Sequence, residues 1–338
     1  MADELRLQKD FLNGDTLQSI YFGGGTPSIL TVAEITALFS QISAHFQHSA
    51  SAEITLEANP DDIIPEKLKA WRHLGINRLS IGLQSFNDEE LRWMNRAHPA
   101  KLNEISVKMA QDAGFDNITV DLIYGSKFQN LSQWEKSLEK TIALGVTHVS
   151  AYNLTIEGKT KLNHLLQKGE ELPVDDQLSS AQFQMMTEIF ASAGILPYEI
   201  SNFAKPGCEA VHNSNYWLQL PYLGIGPSAH SYKGNRRQWN VKSNALYIQQ
   251  ISKGEIFFET ELLSPNDLYN EFVLTRLRTK WGVHEKDLLQ NFGQSSLTHF
   301  KKCIAKYLPH VEVTEGHYVL KPSGRLLADK IASDLFLL

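Results

Sequence analysis

The sequence has few cysteines, no long apolar run and no excess of basic residues. Its two cysteines, Cys208 and Cys303, lie far apart, which is typical of a cytoplasmic protein with free thiols. Because it has neither a membrane-length apolar run nor a basic-then-apolar leader, we expect neither secretion nor a stable membrane anchor. The formal net charge of −6 gives no overall electrostatic footprint for nucleic acid, so no nucleic-acid partner is expected.

Apolar segments and helical patterns alternate from residue 19 to residue 200. After an amphipathic helix within residues 1–14, the predicted strands are 19–22, 53–56, 78–81, 117–123, 148–154 and 195–200. The predicted helices between them are 32–46, 65–74, 102–113, 132–144 and 177–193. This regular alternation predicts an α/β fold with a parallel sheet, either open or closed into a barrel. The 338 residues are enough for one large domain and a smaller one.

A glycine-rich turn follows the first predicted strand. Tyr21 and Phe22 end the apolar segment, and Gly23, Gly24 and Gly25 come directly after it. Residues without a Cβ let the backbone approach a ligand closely and expose its N–H groups. The turn therefore predicts a site for a charged small molecule, although a tight strand-to-helix turn without a ligand has the same pattern.

Polar side chains stand at the ends of successive predicted strands. They are Glu57 with Asn59, Gln84 with Ser85, Asp121 within its strand, and Asn153 with Thr155. Because the carboxyl ends of the strands in a β/α barrel converge on one mouth, we expect these side chains to share a binding site. Each carboxylate taken singly is more typical of a solvated or helix-capping residue, so the prediction depends on the whole set.

Five ordered motifs connect these residues to a known family. They are Gly23-Gly-Gly-Thr-Pro27, Leu56-Glu-Ala-Asn-Pro60, Ile81-Gly-Leu-Gln-Ser-Phe86, Asn95-Arg-Ala-His98 and Asp121-Leu-Ile-Tyr-Gly125. Together they resemble the radical S-adenosylmethionine (SAM) proteins of the oxygen-independent coproporphyrinogen oxidase family, and within it the branch called heme chaperone HemW. The resemblance runs from about Leu5 to the C-terminus. It implies a partial parallel β/α barrel whose mouth binds SAM.

The resemblance assigns SAM contacts to a defined set of positions. These are Gly24, Gly25, Thr26, Glu57, Gln84, Arg96 and Asp121. It implies that backbone N–H groups of the glycine turn contact the methionine end, while Glu57, Gln84 and Asp121 hydrogen-bond the amino and ribose groups. It also implies that Arg96 pairs with a carboxylate, which a guanidinium fork orients as well as attracts. From the residues alone, Arg96 is a surface arginine at a polar helix end.

The cluster-binding loop of the family has no counterpart in this sequence. Family members carry a C-x-x-x-C-x-x-C loop, after a first strand that would precede Met1, and its thiolates hold a [4Fe–4S] cluster. Cys208 and Cys303 cannot replace that loop, so the chain as written is not expected to build the cluster. The alternatives are a shortened chain, a frameshifted inactive copy and a cluster-free descendant that retains binding. The retained SAM residues favour the first.

The pattern changes after residue 200, where a segment with two histidines and several aromatic residues follows. The segment His212-Asn-Ser-Asn-Tyr-Trp217 resembles the H-N-x-x-Y-W motif that distinguishes the heme chaperones from the oxidases, and His212 is therefore the first candidate for an axial heme ligand. His230 and Cys208 are weaker candidates. Aromatic neighbours such as Tyr222 provide flat apolar surface for a macrocycle. Without the resemblance, the same residues indicate an aromatic core with a histidine at a turn.

Residues 264–338 predict a separate C-terminal domain. Its predicted elements are helices 265–279, 284–291 and 296–307, strands 311–314 and 318–321, and a last helix 322–336. This order resembles a winged helix, which also matches the C-terminal domain of the family. Ten basic and eight acidic residues indicate no phosphate binding, so we expect a cover or a partner-docking module. The barrel, N-terminally incomplete, is expected over residues 1–235, with a connecting segment at 236–263.

The function that the resemblance implies is that of a heme chaperone. Such a protein binds heme and transfers it to an acceptor protein, which the sequence does not identify. The enzymatic alternative is oxygen-independent coproporphyrinogen III oxidase, which decarboxylates two propionates in porphyrin biosynthesis, and the missing cysteines oppose it. A copy that binds neither ligand is a third alternative, and heme titration separates it from the first.

Overall fold

The computed structural model describes residues 1–256 and 258–338. The chain forms two compact units. The first contains Met1–Ile20, Ala33–Ala52 and Val211–Leu338, and the second contains Tyr21–Val32 and Glu53–Ala210. The division into residues 1–235, 236–263 and 264–338 stays a prediction.

Seven strands form the largest sheet of the described residues. They are β1 (Leu17–Phe22), β2 (His48–Ala58), β3 (Arg78–Gln84), β4 (Asn117–Tyr124), β5 (His148–Asn153), β6 (Leu196–Pro197) and β7 (Asn202–Ala204). Their spatial order is β1-β2-β3-β4-β5-β7-β6, and β2 to β5 pair as parallel neighbours. These parallel pairs confirm the predicted α/β class. Every residue of β3 is buried, as expected for a parallel strand covered on both faces.

Helices alternate with these strands. They are α1 (Ala2–Leu7), α2 (Val32–His45), α3 (Pro65–His73), α4 (Asp88–Trp93), α5 (Ala100–Asp112), α6 (Leu131–Ala143), α7 (Lys161–Gln167) and α8 (Asp176–Ser192). α2, α3, α5, α6 and α8 agree with predicted helices to within two residues at each end, whereas α4 and α7 were not predicted. The helix predicted within residues 1–14 is shorter than expected, because turns follow Leu7 and lead to Asn13 and Gly14, both with positive φ.

The core of the second unit contains one face of each long helix. The buried helix residues are Leu68 and Trp71 in α3, Val107 and Ala110 in α5, Trp134 and Leu138 in α6, and Phe183, Met186 and Phe190 in α8. Their spacing of three or four residues places them on a single stripe. Burying each large side chain contributes about 1.5–3 kcal/mol relative to exposure. This core fixes the parallel strands, whose carboxyl ends meet at one edge.

The predicted sixth strand, at residues 195–200, is wrong. Only Leu196–Pro197 is extended as β6, since Pro197 has no N–H with which to continue a ladder. The chain then turns, and the N–H groups of Tyr198 and Glu199 donate to the carbonyl of Asn202 at 3.1 and 3.4 Å. β7 runs back antiparallel between β5 and β6. The parallel part of the sheet therefore ends at β5.

The first unit contains two smaller antiparallel sheets with their own helices. Its further elements are α9 (Val211–Trp217), β8 (His230–Lys233), β9 (Arg236–Asn240), α10 (Asn244–Ser252), β10 (Phe258–Leu262), α11 (Pro265–Leu277), β11 (Val283–His284), α12 (Glu285–Ile304), β12 (Val311–Thr314), β13 (His317–Leu320), α13 (Pro322–Arg325) and α14 (Ala328–Ser333). The strand orders are β10-β9-β8 and β11-β13-β12. Six of these elements were not predicted, namely α9, β8, β9, α10, β10 and β11.

The C-terminal helices and strands follow the order of the predicted winged-helix-like domain. The two helices predicted at 284–291 and 296–307 correspond to the two parts of α12, which are separated at Gly293, where the backbone is not helical (φ 79°, ψ 177°). The helix predicted at 322–336 is instead divided into α13 and α14, with Leu327 outside helical geometry between them. Within the described residues, no helix combines the length and apolarity needed to cross a bilayer.

Candidate functional site

An open cleft lies at the carboxyl ends of the parallel strands in the second unit. It contains about 370 Å³ of empty space, which includes open solvent at its mouth. The residues that line it are Gly25, Thr26, Pro27, Glu57, Ala58, Asn59, Ser80, Gly82, Gln84, Arg96 and Asp121. Six of the seven positions assigned to SAM from the sequence are among them. The seventh, Gly24, donates its N–H to Oε2 of Glu57 at 3.3 Å.

A side chain would meet a different obstacle, or none, at each of the three glycines of the turn. A Cβ at Gly23 would lie 2.3 Å from the ring of Tyr21 and 2.6 Å from Oε1 of Glu57, so a side chain has no room there. Gly24 has a φ of +79°, which residues with a Cβ adopt only at a cost. At Gly25 the place where a Cβ would stand is open space. The cleft can therefore be approached along a bare backbone.

Glu57 connects the ends of β1 and β2. Its Oε1 accepts a hydrogen bond from the hydroxyl of Tyr21 at 2.6 Å, in addition to the contact of Oε2 with Gly24. Nearby, the N–H of Asn59 donates to Oγ of Ser28 at 3.3 Å. These contacts fix the glycine turn against the end of β2, so both present a defined surface to the cleft.

An irregular backbone at the end of β3 places Gln84 in the cleft. Gln84 has a φ of +64°, and the register of β3 against β4 shifts between Ile81 and Gln84. Such bulges redirect a side chain. A Cβ at Gly82 would lie 2.9 Å from Nε2 of Gln84, so the glycine makes room for the amide.

A buried carboxylate fixes the loops after β3 and β4. Glu90 in α4 accepts hydrogen bonds from the hydroxyls of Ser85 and Ser126, and from Nε2 of Gln129 at 2.7 Å. All four residues are buried. The sequence analysis placed Ser85 at the binding mouth, whereas its hydroxyl instead supports the loop through Glu90. A single acidic residue inside a short helix gave no signal for this role.

Arg96 reaches the cleft from the end of α4. The N–H groups of Arg96 and Asn95 donate to the carbonyls of Leu91 and Arg92 at 2.8 and 3.0 Å, and Asn95 has a φ of 57°. This is the Schellman ending of a helix, with asparagine at its left-handed position. Nη1 of Arg96 donates to Oδ1 of Asn59 at 3.2 Å. Arg96 is thus half-buried and directed into the cleft.

Asp121 lies on β4, and the pKa of its carboxyl group is raised above the ordinary value. Oγ of Ser80 is 3.3 and 3.2 Å from its two carboxylate oxygens and donates to them. Burial raises the pKa of Asp121 to about 6, and the Glu57 carboxylate adds to the rise, whereas the hydroxyls of Ser150 and Ser80 oppose it. A carboxyl with a strongly raised pKa in a cleft is typical of a functional group.

A second polar layer lies deeper in the second unit and was not predicted. It consists of Thr55, Arg78, Thr119 and His148, all buried. Arg78 donates to Thr119, and Nδ1 of His148 is 3.0 Å from the hydroxyl oxygen of Thr119. Burial, with the charge of Arg78 adding to it, holds the pKa of His148 well below its usual range. The sequence did contain one indication of this layer. Alternate residues of a strand lie on the same face of a sheet, so polar residues at every second position can meet there.

The candidate heme ligand His212 lies on α9 in the first unit. Its Nδ1 is 2.9 Å from Oγ of Ser19, and its Nε2 is 3.1 Å from the hydroxyl of Tyr216. The rings of His212 and Tyr216 meet edge to face with centroids 4.8 Å apart, and Tyr216 meets Tyr222 likewise at 4.5 Å. Tyr222 stacks against Tyr232 at 6.2 Å. Two aromatic segments of the sequence therefore form one row beside His212.

The other heme candidates have different surroundings. His230 is exposed on β8, where its ring stacks on Trp239 with centroids 5.9 Å apart. Cys208 is a half-buried free thiol in the loop after β7. The assignment of a heme ligand among His212, His230 and Cys208 stays a prediction.

Two segments of the chain match known domain families. Residues 2–141 match the radical SAM superfamily, and residues 263–327 match the HemN C-terminal domain. Among solved structures, coproporphyrinogen III oxidase (HemN) from Escherichia coli, a radical SAM enzyme, has a TM-score of 0.82 at 24% identity, covering 99% of this chain and 83% of the oxidase. This likeness establishes the fold as a radical SAM-type barrel with a HemN-type C-terminal domain.

The superfamily match implies SAM as a ligand, and the residues of the cleft fit it. The backbone at Gly24 and Gly25 faces open space where side chains would otherwise stand. A cation, Arg96, and two carboxyl groups, Glu57 and Asp121, line the same cleft. The amino acid end of SAM carries a carboxylate and an ammonium group, so it needs both a cationic and an anionic partner. The ribose hydroxyls need hydrogen-bond acceptors.

The cysteines of this chain do not fit a [4Fe–4S] cluster. Cys208 and Cys303 are free thiols, and such a cluster is held by cysteine thiolates that surround it. Within residues 1–256 and 258–338, no group of three or more histidine, cysteine, aspartate and glutamate residues is placed to hold a metal ion. We therefore assign no residue of this chain to the cluster.

Curated relatives match most of the chain. The heme chaperone HemW of Bacillus subtilis is 35% identical over 93% of this chain and 84% of its own length. HemW of Mycobacterium tuberculosis is 32% identical over 98% of this chain and 84% of its own, and HemW of Lactococcus lactis is 33% identical over 85% and 75%. Together with the radical SAM fold, this similarity shows that the chain belongs to the heme chaperone HemW family.

Proposed function

We propose that this chain binds heme and transfers it to an acceptor protein. Its relatives are named heme chaperones, and the observation in the molecule that carries the proposal is the setting of His212. The ring contacts a hydroxyl at each nitrogen and stands beside a row of aromatic side chains. Imidazole is a common axial ligand of heme iron, and aromatic rings offer apolar surface to a porphyrin.

The surface around α9 supports the role of a carrier. Val211, Tyr216 and Leu220 are between 38% and 44% exposed. Partly exposed apolar side chains of this kind offer contact area to an apolar ligand. A protein that receives heme and later releases it needs its ligand near solvent, and this segment meets that need.

We further propose that the cleft of the second unit holds SAM. Bound SAM brings a carboxylate, an ammonium group and ribose hydroxyls to the cleft. The residues proposed to hold these groups are Gly24, Gly25, Thr26, Glu57, Gln84, Arg96 and Asp121. Arg96 and the backbone N–H groups of the turn suit the carboxylate, whereas Glu57, Gln84 and Asp121 suit the amino and ribose groups.

The oxidase is the weaker alternative. The likeness to the Escherichia coli enzyme, at 24% identity, concerns the fold alone. Decarboxylation in that family depends on the cluster, for which Cys208 and Cys303 do not suffice. An anaerobic assay with coproporphyrinogen III tests this alternative directly, because release of carbon dioxide from the substrate by this chain would reinstate it.

Heme titration of the purified chain, followed by the Soret band, tests the proposed function. We expect saturable binding that His212→Ala weakens at least about tenfold, because the iron loses its ligand. His73→Ala, which removes an exposed histidine at the end of α3, is the matched control. Absence of saturable binding to the unchanged chain would refute the proposal. Loss of binding in His230→Ala or Cys208→Ala instead would move the ligand to that residue.

A further inference from the structure

The nitrogen of His212 that suits iron already has a partner within its own helix. Nε2 is 3.1 Å from the hydroxyl of Tyr216. The two residues are one helical turn apart on α9, so this contact needs no other element to bring them together. Their rings also meet edge to face at an angle of 87°. The hydroxyl of Tyr216 therefore lies beside the nitrogen that an iron atom would bind.

The opposite nitrogen has a partner on another element. Nδ1 is 2.9 Å from Oγ of Ser19, a half-buried residue of β1. With the ring proton on Nδ1, His212 donates to Ser19 and accepts at Nε2 from Tyr216. This tautomer is the one that a heme ligand requires, because the lone pair lies on Nε2. A phenol ordinarily ionises only at about pH 10, so Tyr216 keeps its proton at neutral pH.

One lone pair cannot serve both Tyr216 and iron. Coordination directs the lone pair of Nε2 to the metal, so the hydroxyl of Tyr216 has to give up its hydrogen bond. Tyr216 is 42% exposed, and part of its side chain already faces solvent. The hydroxyl can therefore move outward and find water as its new partner without opening the core.

We propose that Ser19 and Tyr216 together control heme exchange at His212. This inference rests on the proposed function. Ser19 is a positioning residue that maintains the tautomer with the proton on Nδ1, and Tyr216 is a gate that competes with iron for Nε2. When heme binds, Nε2 donates its lone pair to iron and Tyr216 keeps its proton. When heme leaves, the hydrogen bond from Tyr216 forms again, which favours release.

The variant Tyr216→Phe tests the gate, since it removes the hydroxyl and retains the ring. A hydrogen bond between neutral groups makes a modest net contribution, so we expect heme affinity to rise about 2- to 10-fold. Heme release, measured as capture by apomyoglobin, should slow by a similar factor. Tyr152→Phe, at a tyrosine of β5 that is 47% exposed, is the matched control and should change neither value. An unchanged or weaker heme affinity in folded Tyr216→Phe would overturn the gate.

The variant Ser19→Ala tests the positioning role. We expect heme affinity to fall about 2- to 10-fold, and the iron–imidazole stretching frequency of the ferrous complex to decrease in resonance Raman spectra, because Nδ1 loses its hydrogen-bond partner. Ser19→Thr retains the hydroxyl and should restore both values. A frequency in Ser19→Ala equal to that of the unchanged chain would contradict the positioning role.

His212→Ala in the same titration separates the proposal from the function on which it rests. If this variant binds heme as the unchanged chain does, the assignment of the ligand is wrong and the gate with it. If it loses heme while Tyr216→Phe behaves as the unchanged chain does, only the gate is wrong.

Discussion

Nη1 of Arg96 donates a hydrogen bond to Oδ1 of Asn59 at 3.2 Å, which joins the end of α4 to the end of β2. Both residues line the same cleft. A guanidinium carries five N–H donors in a fixed plane, so one contact with an amide orients the whole group. The contact therefore holds the guanidinium of Arg96 in one orientation at the cleft.

Removal of this guanidinium is expected to weaken SAM binding. A charge-assisted hydrogen bond contributes about 1.5–3 kcal/mol, so Arg96→Ala should lower the affinity for SAM at least about tenfold in isothermal titration. Arg92→Ala is the matched control, because Arg92 is an exposed arginine of α4, only four residues before Arg96. Equal losses of affinity in both variants would contradict a specific role for Arg96.

The glycines of the turn offer a pair of variants that separate stability from binding. Gly25→Ala adds a methyl group in open space and should change the free energy of unfolding by less than about 0.5 kcal/mol, while it obstructs the approach of SAM and lowers its affinity. Gly23→Ala places a Cβ against Tyr21 and Glu57 and should cost about 1–3 kcal/mol of stability. Urea unfolding and SAM titration measure both effects. An unaltered affinity in Gly25→Ala would place SAM elsewhere.

The raised pKa of Asp121 predicts that its contribution to the free energy of unfolding depends on pH. Its pKa is about 6 in the folded chain against an ordinary 3.8, so the stability linked to its protonation is present below about pH 4 and is lost as the pH rises through 6. Asp121→Asn avoids the cost of the buried charge. Since one pKa unit corresponds to about 1.4 kcal/mol, the variant should be more stable at pH 8 by at most about 3 kcal/mol. In urea unfolding, the stability gained by the variant should be smaller at pH 5 than at pH 8. An equal gain at both pH values would show that it does not come from the buried charge of Asp121.

The buried carboxylate of Glu90 should matter far more for stability than its neighbour in sequence. Glu90→Ala leaves the hydroxyls of Ser85 and Ser126 and the amide of Gln129 without their acceptor, so we expect a loss of at least about 3 kcal/mol in thermal or urea unfolding. Glu89→Ala changes an exposed residue of the same helix and should stay within about 0.5 kcal/mol. Comparable losses in the two variants would show that the hydrogen bonds to Glu90 contribute little.

The cleft could be predicted in large part because its residues follow their own strands. Glu57, Gln84 and Asp121 stand near or at the carboxyl ends of β2, β3 and β4, and a parallel sheet collects such positions at one edge. No knowledge of side-chain contacts was needed. The role of Arg96, in contrast, depends on the left-handed Asn95 and on Asn59, which periodicity does not reveal.

Contacts between distant segments could not be predicted from local pattern. Ser19 and His212 are 193 residues apart, and only the folded chain shows that they meet. The strand predicted at residues 195–200 is wrong for a similar reason. An apolar run predicts extended backbone, but Pro197 and the turn that follows decide which neighbour the chain pairs with.

The short strand β6 has a consequence for association between molecules. It is the last strand at its side of the sheet, it contains two residues, and one of them is a proline without an N–H. Open strand edges recruit other chains through unpaired backbone groups, and short or proline-containing edges resist this. The chain is thereby protected, at this edge, from strand pairing with copies of itself.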